Sequence, residues 1–308
     1  MGMALNYDEL YIENNIIDMH IESIENIIDS FMEESIIFEQ IIMEEEENNS
    51  NQSNPADNVD KSGSIETKGK NNPKFKERVK TVLGKLKELL EKFVGAITGI
   101  FNKMKNKIGQ IKQRILEKFK ADGTAINDQT VLRFDLVQPN VEKLKAIRND
   151  LENDVITPIY NDNEPNTTDL SDYESRLKEV EYNKIAGDDS NLFEYKKGQK
   201  VSVSFLQNGA KALDGKNEDI GNSSSNQKKH ISVISKIINA IQGGKDDANV
   251  TLLQKACNLS MRITKDIIKY NTRYIGDFMK LVLNCSTGNA KNGAAEVKQK
   301  VVNKVTKK

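Results

Sequence analysis

The sequence predicts a mostly α-helical protein: long amphipathic helices and a helical bundle with at most a small β-hairpin, a disordered linker and a basic tail. Three observations predict it. Apolar residues recur at steps of three and four across residues 17–42, 79–119 and 253–285, the spacing that lines one face of a helix. The composition has no Trp, with 37% hydrophobic against 30% charged residues, a balance that favours long solvated helices over a thick core. Charge is also segregated: residues 1–60 hold 16 Asp or Glu and no Lys or Arg, so a net charge of −1 leaves residues 61–308 at +15.

Residues 1–47 read as an acidic amphipathic helix, a leader in the manner of a propeptide, with Ile17, Ile21, Ile24, Ile28, Phe31, Phe38 and Ile42 on one face. Such a face needs a partner. The body of its own chain, a second copy and a basic helix all fit. Glu44 to Glu47 close the element, although carboxylates are disfavoured at a helix C-terminus. Residues 48–72 are rich in Asn, Ser and Gly with almost no apolar content, and are expected to be a disordered linker.

Residues 73–121 predict a basic amphipathic helix. Its apolar stripe includes Leu86, Leu90, Phe93, Ile97, Phe101, Met104 and Ile108. Over residues 74–120, 14 Lys or Arg stand against four Glu, a net of +10. Lys80, Lys85, Lys87, Lys92, Lys103, Lys105, Lys107, Lys112, Arg114 and Lys118 are the candidate contact residues. A helix of this kind can lie in an anionic membrane surface, neutralise nucleic-acid phosphates without reading sequence, meet an acidic helix, or simply solvate its charged face. Its Phe residues belong to the apolar stripe, so base stacking on the basic face is not expected. Gly95 and Gly99 suit either a close backbone approach or a kink that divides the helix.

Residues 122–286 form the body. An Asp-Gly turn follows the basic helix, Val131 to Val137 suggest a short strand, and Asn140 to Ile156 and Leu170 to Ile185 suggest helices around a loop at Asn161 to Asp169. Phe193 to Tyr195 and Val201 to Phe205, joined through Lys197 and Gly198, predict a small hairpin near residues 193–205. Gly209 to Ser225 read as a polar stretch with little to contribute to a core. A helix marked by Ile231, Ile234, Ile238 and Ile241 follows, then a longer one from Leu253 to Cys285. Residues 287–308, with six Lys against Glu296, are a basic tail.

Cys257 and Cys285 would lie about 40 Å apart on one helix, so two buried thiols are expected rather than a disulfide. No secretory signal and no run long and apolar enough to cross a membrane is found. No catalytic set emerges: His20 sits in the acidic helix and His230 follows two Lys, neither with a nucleophile or ligand set at usable spacing. Gly209 to Asn217 misses the phosphate-loop spacing and lacks the Ser or Thr that would ligate Mg²⁺. Asp162 to Glu164 and Asp188-Asp189 lack the alternation of a Ca²⁺ loop. No cofactor, metal or enzymatic activity is expected.

The order of parts resembles internal head or virion proteins of tailed bacteriophages that infect low-GC Gram-positive bacteria. The opening NYDELYIENNIIDMHIESIENIIDSF, the Asn/Ser linker, the Gly-containing basic helix and the long closing helix with Tyr270-Asn-Thr-Arg-Tyr274 carry the likeness. The resemblance implies a virion location, synthesis in a host cytoplasm, contact with DNA or with other virion proteins or copies of itself, and trimming by a maturation protease. Some head proteases of that class cut after a Leu/Ile-x-Glu triplet, which Ile37-Phe-Glu39 and Ile42-Met-Glu44 match, making Glu39 and Glu44 the implied cleavage positions. A membrane-active module, for genome delivery or as a toxin, is the alternative function for the same basic helix.

Overall fold

Buried stripes on four long helices draw them into an antiparallel bundle. The structure, a computed structural model, describes residues 7–51, 73–119, 124–127, 131–133, 137–182, 193–242 and 249–287. In chain order these form α1 (Tyr7–Asn51), α2 (Pro73–Lys118), β1 (Thr124–Asn127), β2 (Val131–Arg133), α3 (Val137–Leu151), a π-helical turn (Glu152–Ile156) and α4 (Thr157–Tyr160). There follow α5 (Ser171–Val180), β3 (Phe193–Tyr195), β4 (Lys200–Ser202), α6 (Val203–Gln242), α7 (Val250–Asn284) and β5 (Cys285–Thr287). The Asp-Gly turn, most of the expected linker and nearly all of the basic tail lie outside the described residues.

Cross-helix contacts fix the directions. α2 runs against α1, with Lys103 beside His20 and Arg78 beside Glu44, and against α6, with Thr98 beside Ser224 and Lys112 beside Asp214. α7 runs against α6, with Gln227 on Ser260 and Lys216 over the Tyr274 ring, and against α1, with Lys269 on Glu25 and Lys255 on Glu39. α1, α2, α6 and α7 therefore alternate up and down around one core, and α3 packs on α7 beside α6. Phe31, Phe38, Leu86, Leu90, Phe93, Ile97 and Tyr270 are fully buried there. The acidic helix meets both the body of its own chain and the basic helix, and it continues past Glu47 to Asn51.

Pro73 opens α2, where its missing amide hydrogen is harmless. The helix then runs unbroken to Lys118 and is not divided at Gly95 to Gly99. Nor is Gly95 a point of close approach, since a Cβ there would meet nothing within 4 Å.

Two expectations about residues 193–225 are corrected. The strands around Lys197 and Gly198 do not pair with each other: β3 pairs with β2 (Leu132↔Glu194), while β4 and β5 flank β1 (Ala125↔Val201 and Ile126↔Ser286), all antiparallel. β4 cannot extend to Phe205, because the Ser202 hydroxyl accepts the Phe205 amide hydrogen at 3.2 Å and starts a helix. That helix contains the whole stretch read as polar and coreless. Leu206, Ala210, Leu213 and Ile220 are buried at helical spacing, and two of its glycines are contact points. A Cβ at Gly209 would collide with the Phe278 ring, and one at Gly221 would lie 2.9 Å from the Phe101 ring.

Pro158 has no amide hydrogen for the carbonyl of Asp154. The Asn166 amide takes that place at 2.7 Å, folding the loop of residues 161–169 back on the π-helical turn.

Candidate functional site

The charged seam where α1 lies on α2 and α7 holds Lys85, Lys103, Glu39 and Glu44 of the residues the sequence singles out. On the α2 side, Arg78 donates to Glu44 at 2.8 Å, Lys85 to Glu34 at 2.9 Å, and Lys103 to the His20 ring. Lys255 pairs with Glu39 at 3.2 Å and Lys269 with Glu25 at 2.5 Å on the α7 side. Burial and the neighbouring Lys103 ammonium hold the His20 pKa below its ordinary value, so the ring is neutral at pH 7 and its Nε2 accepts from Lys103.

Several candidate contact residues are occupied inside the molecule. Lys112 pairs with Asp214, Arg114 donates to the carbonyl of Leu283, and Lys118 to that of Cys285 at 2.6 Å. Lys107 is 3% exposed, which corrects its placement on an outer face: it follows Met104 by three residues and so faces the core side of the helix. With Glu22, Glu25, Lys269, Arg273 and Asp277 it lines a cavity of about 350 Å³ between α1, α2 and α7. Lys80, Lys92 and Lys105 are exposed, and Lys87 is half-buried near Glu91.

The apolar stripe is not a surface. Leu86, Leu90, Phe93, Ile97, Met104 and Ile108 are buried, and Phe101 packs half-buried against Gly221. Insertion into a bilayer would first require lifting α1 and α6 off α2. Among the described residues no helix is long and apolar enough to cross a membrane. Glu39 and Glu44 sit within α1, both ion-paired, and Glu39 is half-buried.

No family model, curated protein or solved structure matches this chain. What the chain can do must therefore be read from its own groups.

Sequence reasoning set aside one cluster that the fold assembles. Glu152 from the π-helical turn contacts the Nε2 of fully buried His230 on α6. His230 Nδ1 faces the Gln227 side-chain oxygen at 3.0 Å, and the Gln227 amide nitrogen donates to Ser260 and Thr264 on α7. Arg148, 4% exposed, donates to Ser223 at 2.7 Å. The signal was present in the sequence: Ser223, Gln227 and His230 fall on the same helical face as Ile220, Val233 and Ile237. Glu152 also lines a cleft of about 400 Å³ with Thr157, Tyr160, Lys229 and Ser232. The cluster ties three helices together, and nearby Cys257 is fully buried with its thiol pKa pushed up by that burial. Among the described residues no three His, Cys, Asp or Glu side chains gather as metal ligands.

Proposed function

We propose that this protein is a non-enzymatic structural component of a phage virion, internal to the head, whose basic helical surface binds DNA or another virion protein. The observation that carries the reading is the seam itself. The carboxylates of α1 are set against Arg78, Lys85, Lys255 and Lys269, while Lys80, Lys92 and Lys105 remain exposed on α2. Such an arrangement neutralises part of the positive charge and leaves exposed lysines of the kind that touch phosphate by charge alone. The resemblance of the layout to internal head proteins supports a position for that surface beside packaged DNA.

Fluorescence anisotropy of the full chain with a duplex of unrelated sequence tests it. The expected result is weak binding that steepens as salt is lowered, with the triple variant Lys80→Glu, Lys92→Glu, Lys105→Glu losing at least about tenfold in affinity at low salt. Binding that ignores salt, or a triple variant that binds as well as the natural chain, would reject the DNA reading.

A further inference from the structure

The outer face of α1 is apolar as well as acidic. Five of the seven large hydrophobic side chains exposed among the described residues belong to this one helix: Met19, Met32, Ile36, Ile37 and Met43, each 40–67% exposed. At about 100° per residue, Met32, Ile36 and Met43 fall within about 40° of one another, a strip on the side away from Phe31 and Phe38. Glu22, Asp29 and Glu33 are exposed alongside it. A concentration of apolar surface on one element, rimmed by charge, marks a contact site.

Charge selects the occupant. A second α1 laid on the strip would set carboxylate against carboxylate, whereas a basic amphipathic segment would satisfy both strip and rim. This chain carries one just beyond the described residues. Residues 288–308 hold Ala294, Val297, Val301 and Val305 among six Lys, and Glu296 is the only acidic side chain.

The chain also leaves from the right place. β5 is held at the C-terminal end of α2 by Lys118 on the Cys285 carbonyl, and α1 begins at that end because it runs antiparallel to α2. From Lys118 back to Lys103, the neighbour of His20, is about 23 Å along the helix, and from Met19 to Met43 about 36 Å. The 21 residues after Thr287 span about 70 Å when extended. We propose that the Lys-rich C-terminal segment, residues 288–308, docks along the outer face of α1, with its valines on Met32, Ile36 and Met43 and its lysines on Glu22, Asp29 and Glu33.

Zero-length carbodiimide cross-linking of the full chain, read by mass spectrometry on an equal mixture of ¹⁴N- and ¹⁵N-labelled protein, tests this. Lys298, Lys300 or Lys304 should be found joined to Glu22, Asp29 or Glu33. Links of one isotope place the segment on its own α1, and links of mixed isotope place it on a second copy; either supports the docking. The variant Met32→Ser, Ile36→Ser, Met43→Ser should melt like the natural chain, since these side chains are outside the core, yet lose at least fivefold in those cross-links. The proposal is overturned if the Lys85 to Glu34 and Lys255 to Glu39 pairs cross-link while the C-terminal lysines reach no α1 carboxylate. It is equally overturned if the triple serine variant cross-links at an unchanged yield.

Discussion

Hydrogen counting settles the most consequential side chain of the interior. Because the Gln227 amide nitrogen is spent on Ser260 and Thr264, its oxygen is the atom facing His230, and His230 Nδ1 must donate to it. His230 Nε2 is left facing Glu152. His230→Ala removes that partner and strands a buried carboxylate, for an expected loss of about 3–5 kcal/mol in urea unfolding at pH 7. Glu152→Gln should cost less, since its amide can still hydrogen-bond to the ring. Tyr173 gives a second, pH-dependent case. Its hydroxyl donates to Asp154 at 2.8 Å, and burial together with that hydrogen bond pushes its pKa up to about 12. A raised folded-state value means this contribution is complete below the ordinary value near 10 and disappears as pH climbs through about 12. Chemical denaturation across that interval should show stability falling in the natural chain and a flatter profile in Tyr173→Phe.

At the scale of elements, the glycines separate helix propensity from packing. Gly84 lies in α2 with nothing within 4 Å of the place an alanine methyl would occupy, so Gly84→Ala should stabilise by about 1 kcal/mol through backbone entropy alone. Gly209→Ala carries the same propensity gain but drives a methyl into the Phe278 ring, and should lower the midpoint of thermal unfolding. The same contrast explains what the sequence made legible. Long stripes such as Leu86 to Ile108 identified α2 because each position agreed with its neighbours. Residues 209–225 were opaque because Gly209 and Gly221 resemble helix breakers until the opposing rings are known. Strand pairing was opaque for a related reason: three residues of FEY or KVS match many partners, and β2 and β1 were selected by tertiary placement rather than by proximity along the chain.

For the whole molecule, the segregated charge was visible in the sequence, but its use was not. Composition gives an acidic end and a basic remainder; only the bundle shows that Glu34 and Glu44 meet α2 while Glu25 and Glu39 meet α7, so that one helix bridges two. His20 makes this seam sensitive to mild acid. Its pKa is held below the ordinary 6.5 by burial and by Lys103. A lowered folded-state value contributes stability that is present above 6.5 and is lost as pH falls through the lowered value, because the released ring binds a proton that the docked ring refuses. Protonation would also set imidazolium against ammonium. Moving from pH 7.5 to pH 5 should therefore loosen α1 preferentially, with faster hydrogen exchange, after correction for intrinsic rates, in residues 19–44 than in α6 or α7. His20→Gln keeps an oxygen acceptor for Lys103 but cannot titrate, so its α1 exchange should respond less to the same change. Equal acid sensitivity in the two proteins would mean that carboxylates along the seam, not His20, govern the release.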